Sequence, residues 1–310
     1  MKFFKDKLYK HINDKFIIFL DKLIFRIGEH RSFEFGASLV YYLILSLFPF
    51  LIALLNVVNF TNILSSEQLT QYLNVLPEDI FKIVNGFINE LNFSSSGSLF
   101  SISVIAGLFA ASNGIKYVIK NINLAYGFKN NRNFIIQKLF SLLFTIGFIL
   151  LIFLLVFTQI FGSIILKNLE KYLPQLPINL DFVAILSTIL PVLYMVIVFF
   201  LIYRFAPVAP MTSKLNTRLV LPGTIFTTII TIIATKGFSF YVSNFGKYSI
   251  TYGSLGGIII LLVWLWIMSV VILIGGEINA TIYSMKHFKT TNLWPRYESI
   301  FKNLLKDYKL

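Results

Sequence analysis

Six stretches of this chain carry no charged side chain: 35–66, 92–115, 139–166, 182–203, 219–235 and 249–276. A helix needs about 20 apolar residues to cross the hydrocarbon core of a bilayer. Five of the runs meet that length, and the run at 219–235 is the shortest. Alternating apolar and polar strands of the barrel kind are absent, so helices are the spanning structure left. Composition agrees. Charged residues make up 13% of the 310 positions, against about 25% in soluble domains. A mean hydropathy of +0.77 exceeds what a core can bury in a chain of this length. The expectation is an all-α integral membrane protein with spans at about 37–60, 98–118, 139–163, 182–203, 217–236 and 254–282. These make one membrane domain at 35–285, with an outer loop at 61–97. With no cysteine, disulfides, thiolate metal sites and cysteine nucleophiles are excluded.

Lys and Arg are unevenly shared. With six alternating spans, 22 of the 27 fall on the side that holds residues 1–34 and the tail. The positive-inside rule then puts both termini in the cytoplasm. The net charge of +13 reads as attraction to the anionic inner leaflet, not as a nucleic-acid footprint. Residues 1–34 read as a cytoplasmic amphipathic segment. Leu8, Ile12, Phe16, Phe19, Leu20, Leu23 and Ile27 recur at steps of three or four, with Lys15, Lys22 and Arg26 between them. It is either an interfacial anchor, a lid under the bundle, or an ordinary leader helix. The outer loop carries a short amphipathic helix following Pro77, and residues 286–310 form a basic cytoplasmic tail.

Three motifs, in order, resemble a known family. The run ASLVYYLILSLFP from Ala37 to Pro49 is similar to the first-span signature of the YihY/BrkB family. GFKNNR from Gly127 to Arg132 is similar to its short basic loop. YGSLGG from Tyr252, LVWLW from Leu262 and GGEINA from Gly275 are similar to its last span. The resemblance covers roughly 30–285. It implies a six-span bacterial cytoplasmic-membrane protein linked to envelope integrity and virulence, with lipid export in some members. A ribonuclease BN label also attached to this family is not carried over. The chain has His11, His30 and His287, but no acidic cluster on one helix face for a metal-dependent phosphodiesterase. No enzyme and no cofactor are expected.

Glu277 is the one acid in or near the last span, and a carboxylate there is a functional candidate by default. It lies 23 residues along from Ser254, roughly 35 Å at 1.5 Å per residue, hence at the inner boundary. Lys116, Lys120 and Arg204 are the expected partners, since spans two and four also end inside. Asn279 shares its motif. The pair is either a gate or a structural lock. Asn113 and Lys116 share one face of span two, as a polar pathway or as interhelical glue. Gly107 with Ala111, and Ala110 with Gly114, are small-xxx-small pairs that permit close helix approach. Gly253 and Gly257 do the same in span six, or flank an outer opening for a lipid headgroup. Pro49, Pro191 and Pro222 lie inside apolar runs, where each removes a helix hydrogen bond and can kink its span.

The sequence leaves three functions open. The first is transport of a lipid or other amphiphile. The second is a scaffold whose partners dock on the basic inner surface or the outer loop. The third is an ion- or proton-coupled carrier using Glu277. Membrane lipids are the expected partner class, and protein partners stay unknown.

Overall fold

The computed structural model describes residues 14–61, 97–128, 132–151, 180–208, 215–245, 256–287 and 299–301. The expected outer-loop helix, the first thirteen residues, Gly253 and most of the basic tail lie outside them. The described chain is all-α. Its helices are α1 (Lys15–Glu29), α2 (Ser32–Thr61), α3 (Gly97–Tyr126), α4 (Phe134–Leu151), α5 (Leu180–Phe205), α6 (Thr217–Phe245) and α7 (Gly256–His287). Four of them, α3, α4, α6 and α7, are long and apolar enough to cross a membrane, and two shorter apolar helical stretches lie at Ser32–Ser46 and Ile189–Phe205. Helix α3 runs eight residues past the expected end of span two, because Lys116 and Lys120 interrupt apolarity without interrupting helix-forming residues.

Helix α7 is the hub, packing against α1, α2, α3, α5 and α6. It can do so because two sides of it are small. Gly275 and Gly276 face α5, α6 and α3, and a methyl group built on Gly275 would overlap Thr227 and the Tyr203 hydroxyl. The α2–α3 contact is built the same way. A methyl on Gly114 would meet Leu39 at 2.8 Å and Tyr42 at 3.3 Å. Close backbone approach between such small residues stands in for the hydrophobic drive that lipid removes. Ile119, Ile122, Val198, Ile202, Val220 and Leu273 fill the centre. Outward, Ile225, Ile229 and Ile233 form an exposed apolar ridge one turn apart on α6, a surface suited to acyl chains. Pro49, Pro191 and Pro222 all sit inside helices, in α2, α5 and α6. Ala111 and Gly107 are buried on α3, and Gly257 is half-buried in the first turn of α7.

Two devices hold the end of the bundle where α1 meets α2 and α5 finishes. Arg31 adopts φ 51°, and this left-handed residue turns α1 into α2 over a two-residue link. Arg132 closes the last turn of α5. Its guanidinium donates to the carbonyls of Phe205 at 2.9 Å, Ala206 at 3.2 Å and Pro207 at 3.4 Å, and lies over the Phe140 ring at 4.2 Å. Asn123 completes the cap, accepting from the Val208 amide at 2.7 Å. A cation at a helix C-terminus meets both the free carbonyls and the negative end of the dipole. Arg132→Ala is expected to lower stability by about 1–3 kcal/mol. Arg132→Lys should recover little of it, since one ammonium cannot match a planar fork on three carbonyls. Thermal melts of the two variants beside wild type check both statements.

Candidate functional site

Helix α1 turns a polar face inward. Asp21, Arg26 and His30 are buried, while Phe16 and Ile24 are exposed. Arg26 and His30 are four apart, so they project from one side of the helix. Both reach Glu277, which is fully buried on α7. His30 Nδ1 lies 2.5 Å from Glu277 Oε1, and Arg26 Nε donates to Oε2 at 3.3 Å. An ionised Glu277 only accepts, which makes His30 Nδ1 the donor of that bond. The guanidinium also reaches two helix carbonyls: Nη1 donates to that of Ala280 in α7 at 3.3 Å and Nη2 to that of Ala125 in the last turn of α3. Asn121 on α3 donates to the His30 carbonyl at 3.2 Å. One carboxylate thereby ties α1, α3 and α7 together. Burial lowers Arg26 below its ordinary basicity, while Glu277 pulls the other way. The rings of Tyr126, Phe128 and Tyr283 pack mutually beside this cluster, with centroids 5.3–5.9 Å apart. They cover it from water.

This overturns the expected partners of Glu277. Lys116, Lys120 and Arg204 do not reach it; each lies instead over an aromatic ring, of Phe134, Phe35 and Phe205 respectively. Equal depth was the wrong criterion for choosing partners. Helix α1 lies against the end of the bundle where α3 finishes and α2 begins, and brings its cations to the carboxylate from the side.

A second polar layer follows one turn along α7. Tyr203 is fully buried and donates to the Ile272 carbonyl at 2.6 Å. Its oxygen then accepts from Thr227 at 2.7 Å. Asn279 accepts from the Gly223 amide at 2.7 Å, next to Pro222, where the helix ladder of α6 is interrupted. Asn113 on α3 accepts a hydrogen bond from Lys138 on α4 at 3.1 Å. Sequence reasoning missed Arg26, His30, Tyr203 and Lys138. The spacing of Arg26 and His30 was the available signal for the first two.

Residues 23–298 match the family described as virulence factor BrkB. A Bacillus subtilis (strain 168) protein carried under the name ribonuclease-like protein YfkH is 34% identical over 274 residues, which is 88% of this chain and 98% of that one. A membrane protein of the UPF0761 group from Vibrio vulnificus (strain YJ016) is 23% identical over 89% of this chain and 85% of its own. One from Vibrio parahaemolyticus serotype O3:K6 is 26% identical over 88% and 84%. No solved structure matches.

Proposed function

Because the chain belongs to the BrkB virulence-factor family, we propose that it carries a lipid or another amphiphile across the bacterial cytoplasmic membrane and so supports envelope integrity. In this reading it has six spans, keeps both ends in the cytoplasm and performs no catalysis. The basic inner face holds it to anionic lipid, and α1 is a latch at the inner end of the bundle.

The observation behind this reading is the buried Arg26–Glu277–His30 cluster between α1 and α7. Desolvating an ion pair costs several kcal/mol per ion, and well-packed apolar residues of similar size would hold the helices at least as well. A charged joint suits two elements that must meet in one register and also part. The apolar ridge on α6 and the scarcity of charge elsewhere in the interior fit an apolar cargo.

The test is transbilayer movement of fluorescent phosphatidylglycerol and phosphatidylethanolamine in vesicles holding the purified chain. Wild type is expected to speed exchange over empty vesicles. The apolar variant Arg26→Met/Glu277→Met, if it melts at or above the wild-type temperature, is expected to lose at least about tenfold of that rate. No exchange with folded wild type, for either lipid, would sink transport of these amphiphiles and favour the scaffold.

A proton-linked carrier is the second reading. Asn121 Oδ1 and Tyr126 OH on α3 and Thr281 Oγ1 on α7, all buried, make no hydrogen bond among the described residues. Such groups call for mobile polar partners. A transfer rate that follows an imposed pH gradient would support it.

A further inference from the structure

Helices α3 and α4 run antiparallel with two cations between them. Lys138 on α4 donates to Ser112 Oγ at 2.6 Å, Asn113 Oδ1 at 3.1 Å and the Phe109 carbonyl at 3.3 Å. One turn further along α3, Lys116 lies over Phe134, itself one turn back from Lys138 on α4. The two ammonium groups are therefore about one helical turn apart on one seam. All three acceptors of Lys138 are neutral. Neither Lys116 nor Lys138 makes an ion pair with a carboxylate among the described residues. The surroundings are apolar and open: Phe109, Phe134, Ile135 and Leu139 are exposed. On the α2 side, Tyr42 and Tyr117 stack with centroids 5.5 Å apart, both partly exposed.

Two cations about one turn apart on a largely apolar seam, with no counter-charge among the described residues, favour an anion between them. We propose that the α3–α4 seam binds the phosphate of an anionic phospholipid. Lys138 has its three donors satisfied and serves as a fixed positive charge. Lys116 supplies the donors, and its ammonium makes no hydrogen bond or ion pair among the described residues. The acyl chains lie along the exposed apolar residues of α4. Lys138 is four residues into α4, about 6 Å from its start, which suits headgroup depth. This site stands whether or not the protein moves lipid, and it shares no residue with the Arg26–Glu277–His30 cluster.

The experiment is native mass spectrometry of the full chain, titrated with phosphatidylglycerol, with phosphatidylcholine, and with inorganic phosphate as competitor. Wild type is expected to prefer phosphatidylglycerol, and Lys116→Gln to bind it about fivefold more weakly. That substitution leaves the ties of Lys138 intact, so folding is kept. Lys236→Gln, on α6, is expected to bind like wild type. No preference for phosphatidylglycerol, or a preference unchanged in Lys116→Gln, overturns the site. Displacement of the lipid by millimolar inorganic phosphate overturns its assignment to a lipid headgroup.

Discussion

Glu277→Ala is expected to destabilise the folded chain by about 3–5 kcal/mol. Removing the carboxylate takes away the acceptor of Arg26 Nε and the charge paired with it, and leaves the guanidinium buried against the Ala280 and Ala125 carbonyls. Burial already disfavours its charged form, and Glu277 is what opposes that. An arginine does not escape by losing its proton, so α1 must undock to return it to water. The loss should appear as a fall in melting temperature and as proteolysis within α1. The coupling is tested by a double-mutant cycle of Arg26→Met, Glu277→Met and the two together. Arg26→Met alone should cost less than Glu277→Ala, since the remaining carboxylate keeps the His30 hydrogen bond. Arg26→Met/Glu277→Met should recover most of the stability, because an apolar pair of similar volume replaces the ions without their desolvation cost. A double variant as unstable as the sum of the singles would show that Arg26 and Glu277 do not act as a unit.

Gly223→Ala should be nearly as damaging, for a steric reason. An added methyl at Gly223 would overlap the Gly275 carbonyl and sit 2.5–2.6 Å from the Asn279 side-chain amide. The first of these is backbone, which cannot rotate away, and the second holds the Gly223 amide. The helices α6 and α7 would have to separate at the hub of the bundle. The expected cost is at or above the top of the usual overpacking range of about 1–3 kcal/mol. Gly237→Ala on the same helix is the control. Nothing lies within 4 Å of a methyl there, so it should be neutral or stabilising by up to about 1 kcal/mol. Equal melting temperatures for the two variants would refute the close crossing.

The helices were legible because charge is excluded from long runs, and that signal is one-dimensional. Partner choice is not. Glu277 stood out as an isolated acid, but its partners come from a helix 251 and 247 residues away in sequence. Periodicity showed α1 to be two-faced without showing which face turns inward. In water the apolar face would; beside lipid, Phe16 and Ile24 stay outside and the charges turn in. Lys138 sat one residue before an uncharged run, so a reading by spans passed over it. Gly114 was recognisable from its small-residue spacing, whereas Gly223 had no such pair within α6, because its counterpart Gly275 lies on another helix.

The distance in sequence between the two halves of the ion cluster sets an order of assembly. Ribosomes add about 5–20 residues per second, so Arg26 and His30 are made roughly 12–50 s before Glu277. Throughout that interval the first helix made carries buried-to-be charges with no counter-charge, and stays hydrated. It docks only when the last helix is inserted. The segment synthesised first is thus among the last to be placed, and a chain halted before α7 keeps α1 exposed to the proteases that clear unfinished membrane proteins.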